Sequence, residues 1–232
     1  MTEHKSIAVD GPSGAGKSTL AKLLAKELGF LYVDTGAIYR TVGLKAYREG
    51  VDPEDGAAVT ALLPGLNIEL KYGGDGLQHM YLDGEDVTDA IRQHEISRYT
   101  SCVSAIPAVR DFLLERQREL ARTHDVIMDG RDIGTVVLPD AELKIFLTAS
   151  SEARAKRRML EQKSKGIEEN FEDVLREIEY RDKQDSSRAA APLKAAEDAL
   201  VVDTSDIDFE ESFRRLAELV VTRLSPESEG QP

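Results

Sequence analysis

One eight-residue stretch near the N-terminus limits the folds available to this chain more than any other feature. Residues 11–18 read GPSGAGKS and match the pattern G-x-x-x-x-G-K-[ST] in full. An apolar segment at residues 6–9 precedes the stretch, and the apolar spacing after it predicts a helix over residues 17–28 that ends at Gly29. A strand, a glycine-rich loop and a helix in this order are typical of an α/β protein that binds phosphate groups.

The residues of this loop suit a nucleoside triphosphate. Glycines allow the backbone to wrap so that successive N–H groups point at phosphate oxygens, and the helix N-terminus adds partial positive charge. We expect Lys17 to reach the β- and γ-phosphates and the Ser18 hydroxyl to bind Mg²⁺. ATP and Mg²⁺ are therefore the expected cofactors. The predicted ATP-binding residues are Gly11, Pro12, Ser13, Gly14, Ala15, Gly16, Lys17, Ser18 and Thr19.

The rest of the chain alternates between strand and helix patterns. Further strands are predicted at residues 30–33, 125–128, 143–147 and 200–202, and further helices at 38–48, 107–122, from 150 or 151, from 170 and from about 208 to 224. This order predicts an α/β fold with about five parallel strands covered by helices on both faces. Residues 67–72 and 80–82 instead alternate with a period of two around a glycine-rich turn at 73–76, which predicts a small antiparallel insertion.

Charge and cysteine content narrow the functional classes. The net charge of −13 argues against nucleic acid or an anionic membrane as the main partner, and no apolar run approaches the roughly 18 residues of a membrane helix. The N-terminus has no apolar stretch long enough for a signal peptide. Cys102 is the single cysteine, which fits a reducing cytoplasm. We expect a cytoplasmic protein that binds neither nucleic acid nor membrane and is a monomer.

The phosphate acceptor separates the remaining classes of nucleotide-binding protein. A guanine-nucleotide switch requires an N-K-x-D motif, and neither asparagine, Asn67 or Asn170, begins one. A kinase acting on a small alcohol needs a general base, for which Asp34 is the candidate. A nucleoside monophosphate kinase needs no base, because its attacking phosphate oxygen is already ionised near neutral pH, but it needs arginines to bring two anions together. A non-catalytic nucleotide-binding module is the remaining alternative.

Arginines occur where a site for two anions would be built. Arg40 lies in the segment after the second strand and Arg131 lies after the third, at the edge of a parallel sheet where ligands bind. Helical spacing puts two more groups on single faces: Arg154, Arg157 and Arg158, and then Arg181, Asp185 and Arg188. The distribution favours the nucleoside monophosphate kinase.

Four motifs in order, GPSGAGKST, DTGAIYR, DGRDIGT and RDKQDSSRAAAPL, give the chain a resemblance to a known family. It resembles the bacterial-type cytidylate kinases of the nucleoside monophosphate kinase superfamily, up to about Leu224 and including the insertion. Thr35 stands where serine is at least as common, and it keeps the hydroxyl. The resemblance implies a phosphate-loop kinase core at residues 1–49, 97–150 and 171–224. It also implies a monophosphate-binding insertion at 50–96 and a helical lid at 151–170, and residues 225–232 are expected to form a disordered tail.

The resemblance also implies roles for residues that the patterns alone do not single out. In such enzymes the residues matching Ser101, Arg110 and Asp132 read the cytosine base. The chemistry agrees, because the N4 amine of cytosine is a donor that suits a carboxylate, whereas uracil presents an acceptor there. The other expected substrate-binding residues are Thr35, Arg40, Arg131, Arg181, Asp185 and Arg188.

The resemblance and the phosphate loop together imply ATP-dependent phosphoryl transfer to CMP, and also to dCMP, without a general base. The residues expected to take part in catalysis are Lys17, Arg131, Arg154, Arg157 and Arg158. Asp129 follows a buried strand in the position of a carboxylate that holds Mg²⁺, together with Ser18, and Asp34 is a weaker candidate for the same task. The expected small-molecule partners are ATP, CMP and dCMP.

Overall fold

A computed structural model describes residues 4–224 of the chain except Asp75 and Lys165. The strands are β1 (Ser6–Asp10), β2 (Leu31–Asp34), β3 (Ile68–Tyr72), β4 (Gln78–Leu82), β5 (Glu85–Asp86), β6 (Val126–Gly130), β7 (Leu143–Thr148) and β8 (Leu200–Asp203). The helices are α1 (Lys17–Leu28), α2 (Thr35–Arg48), α3 (Gly56–Leu62), α4 (His94–Val103), α5 (Pro107–Thr123), α6 (Ser151–Ser164), α7 (Phe171–Ser187) and α8 (Phe209–Leu224). The predicted tail at 225–232 and part of the predicted 73–76 turn lie outside the described residues.

The five-stranded sheet is parallel throughout, in the order β2-β6-β1-β7-β8. Side chains of β1 alternate between its two faces, because Ile7 and Val9 belong to one hydrophobic cluster and Ala8 belongs to the other. Helices α1 and α8 pack on the first face, and α2, α4 and α5 pack on the second. The predicted α/β architecture with helices on both faces is confirmed.

The antiparallel insertion is also confirmed, as a three-stranded sheet in the order β3-β4-β5. It attaches to the free edge of β2 through side chains. The Tyr72 hydroxyl donates to the carbonyl of Tyr32 at 2.8 Å. The Gln78 side chain accepts from the N–H of Asp34 at 2.8 Å and donates to its carbonyl at 3.2 Å. The insertion therefore satisfies three outward-facing backbone groups of an edge strand.

Several elements differ from their predicted bounds, each for a local reason. Helix α2 begins at Thr35, three residues before the predicted start, because the Asp34 carboxylate accepts from the N–H of Ala37 at 3.0 Å and caps the helix. Helices α3 and α4 lie in a region for which no helix was predicted. A π-helical turn at Ile133–Val137, after the third parallel strand in the chain, was also not predicted.

Two glycines give a matched pair for testing how tightly the phosphate loop packs on the sheet. A Cβ on Gly11, whose φ is +147°, would lie 1.9 Å from the carbonyl oxygen of Leu147. A Cβ on Gly29, whose φ is +69°, would have nothing within 4 Å. We expect Gly11→Ala to lower the free energy of unfolding in urea by about 3 kcal/mol, from backbone strain plus the clash. We expect Gly29→Ala to lower it by about 1 kcal/mol. Equal losses would contradict the close approach.

Candidate active site

A cleft of about 1020 Å³ opens at the carboxyl ends of the parallel strands. Most of the predicted site residues line it: Ser13, Gly14, Ala15, Gly16, Lys17, Ser18, Thr19, Thr35, Arg40, Ser101, Arg110, Asp129, Arg131, Asp132, Arg157, Arg158, Arg181, Asp185 and Arg188. Three predicted site residues, Gly11, Pro12 and Arg154, do not line it. The lining also includes residues around the start of α8 that sequence analysis did not assign to the site: Ile207, Asp208, Phe209 and Ser212.

The phosphate loop adopts the backbone that its glycines predict. Gly14 and Gly16 have φ values of +78° and +92°, a conformation that side chains disfavour, and Gly16 leads directly into α1. Lys17 is buried, and its ammonium donates to the carbonyl of Pro12 at 2.8 Å. Burial and the neighbouring Arg131 lower the pKa of Lys17 to about 7. Because bound phosphates would supply negative charge here, the loop is suited to an anionic ligand.

Asp129, at the end of β6, is held by two hydroxyl groups. Ser18 donates to one carboxylate oxygen at 2.7 Å and Tyr32 donates to the other at 2.9 Å. Burial, with the nearby Asp34 adding to it, raises the pKa of Asp129 to about 6. A hydroxyl oxygen and a carboxylate oxygen beside a phosphate loop are ligands that Mg²⁺ prefers, and phosphate oxygens and water would complete its coordination shell. Ser18 and Asp129 are therefore suitable ligands for the Mg²⁺ that a phosphate loop implies.

Residues 130–132 form a charged corner at the end of β6. Its consecutive side chains Arg131 and Asp132 contact different parts of the cleft. Arg131 donates to the Asp185 carboxylate of α7 at 2.8 Å, and Asp132 pairs with Arg110 of α5. Gly130 precedes them where a Cβ would lie 2.7 Å from the Thr35 hydroxyl. The corner therefore connects two helices that are distant in the chain.

Arg110 and Asp132 form a buried pair on one wall of the cleft. Arg110 also donates to the carbonyl of Ser104 at 3.1 Å, and its guanidinium lies 5.4 Å from the centre of the Tyr39 ring. Burial, the largest single effect, would lower the pKa of Arg110, but the charge and hydrogen bond of Asp132, together with Tyr39 and Asp185, outweigh it, so the pKa is raised. Ser101 lines the same wall. The pair is thus ionic and held in a fixed orientation.

A cluster of guanidiniums faces the centre of the cleft. Burial, then Arg131 and Arg40, lower the pKa of Arg181 to about 10. Arg40 donates to the carbonyl of Ile91 at 3.1 Å, so the insertion helps to hold the cluster. Burial would raise the pKa of Asp185, but Arg131 and Arg188 outweigh it and leave that pKa lowered. Mutual repulsion among like charges is relieved by a bound anion, which makes this cluster suited to a phosphate.

The three arginines of α6 do not share one environment, although their spacing put them on one face. Arg158 contacts Glu177 at 3.4 Å and Arg157 donates to the hydroxyl of Thr204 at 3.1 Å, and both line the cleft. Arg154 is 4% exposed and lies behind the phosphate loop. Its guanidinium donates to the carbonyls of Ala149 at 2.8 Å and Ser13 at 3.1 Å, and to the Asp182 carboxylate at 2.6 Å and 3.0 Å. The structure therefore places Arg154 outside the lining of the cleft, where it supports the phosphate loop, and its expected part in catalysis stays a prediction.

A family model described as cytidylate kinase matches residues 7–222. The chain belongs to the cytidylate kinase family. A cytidylate kinase from Caldicellulosiruptor bescii is 52% identical over 214 residues, covering 92% of this chain and 94% of the relative. A cytidylate kinase from Pelotomaculum thermopropionicum is 49% identical over 225 residues, covering 97% and 98%. This cytidylate kinase family member is accordingly an enzyme that transfers a phosphoryl group to a nucleoside monophosphate, and the predicted family is confirmed.

Among solved structures, an uncharacterized protein from Eubacterium ventriosum superimposes on this cytidylate kinase family member with a TM-score of 0.53. The alignment covers 95% of this chain and 99% of that one at 12% identity, which supports the fold alone. No helix in the described part of the chain has both the length and the apolar character to cross a membrane.

Sequence reasoning missed three residues that hold the site from outside the four motifs. Ser104 accepts from Arg110 through its carbonyl, and its hydroxyl lies 3.4 Å from Arg188. Tyr32 holds Asp129, and Asp10 accepts from the backbone that follows Asp132. Asp10 was at least visible as a charge at the end of an apolar strand. The contacts of Ser104 and Tyr32 had no signal in the sequence.

Proposed function

We propose that the enzyme transfers the γ-phosphoryl group of ATP to CMP, and also to dCMP, giving CDP or dCDP and ADP. The observation that carries the proposal is the buried Arg110–Asp132 pair on the wall of the same cleft as the phosphate loop. A site for phosphates alone has no need of a carboxylate there. If the Asp132 carboxylate contacts the base of the substrate, its negative charge in a cleft that binds anions is explained.

The pair suits cytosine better than uracil. The Asp132 carboxylate can accept from the N4 amine, and Arg110 and the Ser101 hydroxyl can donate to N3 and O2. Uracil presents an acceptor at position 4 and a donor at N3, so both contacts become unfavourable. Because unpaired polar groups in a buried site cost binding free energy, such a site can separate the two bases by orders of magnitude.

The acceptor phosphate needs positioning more than it needs a base. The second pKa of a phosphomonoester is near 6, so the attacking oxygen is ionised at neutral pH. Arg40, Arg131 and Arg181 would hold it, with Thr35 at the base of the site. Asp34 already accepts from the N–H of Ala37 as a helix cap, which supports a structural task for that carboxylate. Asp185, held by Arg131, and the neighbouring Arg188 are assigned to the sugar and the phosphates.

On the donor side, Lys17 and the backbone of residues 11–19 would hold the phosphates of ATP. Ser18 and Asp129 would hold Mg²⁺, which, when bound, neutralises charge on the phosphate oxygens. Arg157 and Arg158 would neutralise charge on the transferred group, and the lid at 151–170 would exclude water and limit wasteful hydrolysis. Catalysis is then positioning plus charge neutralisation.

A panel of acceptors tests this proposal. ADP release would be measured in a coupled assay with CMP, dCMP, UMP, AMP, GMP and shikimate as an alcohol. We expect CMP and dCMP to have the highest kcat/KM, with UMP lower by about a hundredfold. Best turnover of AMP or of the alcohol would overturn the proposal, as would ATP binding without acceptor-dependent release of ADP. An Asp34→Asn variant with normal ATP affinity and no turnover would support the alcohol kinase instead.

The monomeric state, the cytoplasmic location and the division into core, insertion and lid stay predictions from the sequence. The separate three-stranded sheet of the insertion, in the order β3-β4-β5, supports treating residues 50–96 as a unit.

A further inference from the structure

Asp10, the last residue of β1, is a buried carboxylate to which the roles above give no task. It is 4% exposed and does not line the cleft. Within the described residues, no Lys, Arg or His side chain comes close enough to form an ion pair with it. A buried charge without a partner cation is costly, so its hydrogen bonds have to explain its presence.

Both carboxylate oxygens of Asp10 accept from backbone N–H groups. One accepts from Ile133 at 2.8 Å and the other from Gly134 at 2.7 Å. These are the first two residues of the π-helical turn Ile133–Val137. A carboxylate at this end of a helical turn satisfies N–H groups that have no partner within the turn and interacts favourably with its dipole.

The position of Asp10 links the two halves of the site. Along the chain it directly precedes Gly11, the first residue of the phosphate loop. Across the sheet it lies opposite Gly130 of β6, and its hydrogen bonds begin one residue after Asp132. Because a single peptide bond joins Asp132 to Ile133, fixing the Ile133 N–H also restricts where the Asp132 side chain can point.

The packing around this contact leaves little freedom. A Cβ on Gly134 would lie 3.4 Å from the Asp10 carboxylate and 3.1 Å from the Lys144 side chain. Burial, with some repulsion from Asp132, raises the pKa of Asp10 to about 6, while the two amides and the charge of Lys17 lower it. Because both oxygens accept from N–H groups, the ionised form suits this contact, and the carboxylate is held between β1 and the turn.

We propose that Asp10 is a positioning residue for the acceptor nucleotide, which fixes the base-reading Asp132 relative to the phosphate loop. The inference rests on the proposed function, in which Asp132 reads the cytosine amine. Asp10 touches neither nucleotide. Its effect should appear in the choice and affinity of the acceptor and should be absent from the affinity for ATP.

Asp10→Asn tests this inference. The amide keeps the shape but can accept only through its oxygen, so its NH₂ group would face one of the two N–H groups as donor against donor. We expect the ratio of kcat/KM for CMP to that for UMP to fall about tenfold or more, chiefly through a raised KM for CMP. We expect the Kd for ATP, measured by calorimetry without acceptor, to change less than about twofold. An unchanged CMP-to-UMP ratio, or an ATP affinity that falls as much as the acceptor affinity, would overturn the inference.

Two further variants keep the result decisive. Asp55→Asn alters another carboxylate that accepts from two backbone N–H groups, at an exposed helix start, and should leave the ratio unchanged. A variant that is only less stable would lose activity with CMP and UMP alike, so the ratio of their kcat/KM values would not change. If Asp10→Asn does not fold, Asp10→Ser removes the carboxylate without placing an NH₂ group against the two N–H groups, and an unchanged ratio in that variant overturns the inference.

Failure of this inference is distinguishable from failure of the proposed function. If Asp132→Ala abolishes the preference for CMP and Asp10→Asn keeps it, only the positioning role fails. If Asp132→Ala keeps the preference, the base-reading role itself fails, and with it the inference.

Discussion

Replacing Lys17 with methionine should lower kcat by about three orders of magnitude and should not destabilise the protein. The ammonium is buried between the phosphate loop and the arginine cluster, and burial together with Arg131 lowers its pKa to about 7. In the absence of nucleotide it is therefore an unfavourable charge, held for its effect on a phosphate. Methionine has a similar volume and no charge, so relief from burying the charge offsets the lost hydrogen bond to the Pro12 carbonyl, and the free energy of unfolding should change by less than about 1 kcal/mol.

The measurements for Lys17→Met are kcat at saturating nucleotides and the urea unfolding curve of the free enzyme. Lys26→Met is the matched control, since Lys26 is an exposed lysine in the last turn of the same helix, and it should leave both unchanged. A kcat within tenfold of the parent enzyme, or a parallel loss of activity and stability, would contradict the catalytic role of Lys17.

Replacing Asp132 with alanine should produce the largest change in acceptor preference. The carboxylate is 4% exposed and pairs with Arg110, so its loss removes the acceptor that we propose for the cytosine amine and takes away the ion-pair partner of a buried guanidinium. We expect kcat/KM for CMP to fall about a thousandfold and that for UMP to fall much less, because UMP never made the favourable contact.

Steady-state rates with CMP and UMP, beside the Kd for ATP, check the Asp132 prediction. The ATP affinity should change little, since the hydrogen bond of Asp132 goes to Arg110 and, within the described residues, none joins it to the phosphate loop. Asp140→Ala removes an exposed carboxylate eight residues further along the chain and serves as the control. Equal losses with CMP, UMP and ATP binding would rule out a base-reading role.

Much of the core could be predicted from the sequence because its signals are local. Helix α1 has the predicted bounds, since a glycine-rich loop precedes it and Gly29 ends it with a φ of +69°. Buried parallel strands are short apolar runs, and these were found within one or two residues. Helix α3 was missed because it is only seven residues long, and α4 was missed because only Ile96 and Val103 of its ten residues are buried apolar side chains, which leaves a weak helical period. The π-helical turn depends on Asp10, which is more than 120 positions away.

The site could be predicted as a set of residues but not as a geometry. Parallel strands bring their carboxyl ends to one edge, so Arg40, Arg131 and the residues around them were bound to converge. The spacing of the arginines on α6 predicted a shared helical face, but the sequence did not show how that face is oriented relative to the cleft. Arg154 consequently lies behind the phosphate loop, while Arg157 and Arg158 face the cleft.

The attachment of the insertion to β2 has a consequence for the behaviour of the protein in concentrated solution. An edge strand with free N–H and C=O groups is a template on which another chain can add a strand, and such edges promote aggregation. Here the outer groups of β2 are bonded by Tyr72 and Gln78 side chains, which cannot extend into a continuous ladder. The insertion thereby shields the sheet from self-association, and a change that detaches it would expose this edge to other chains.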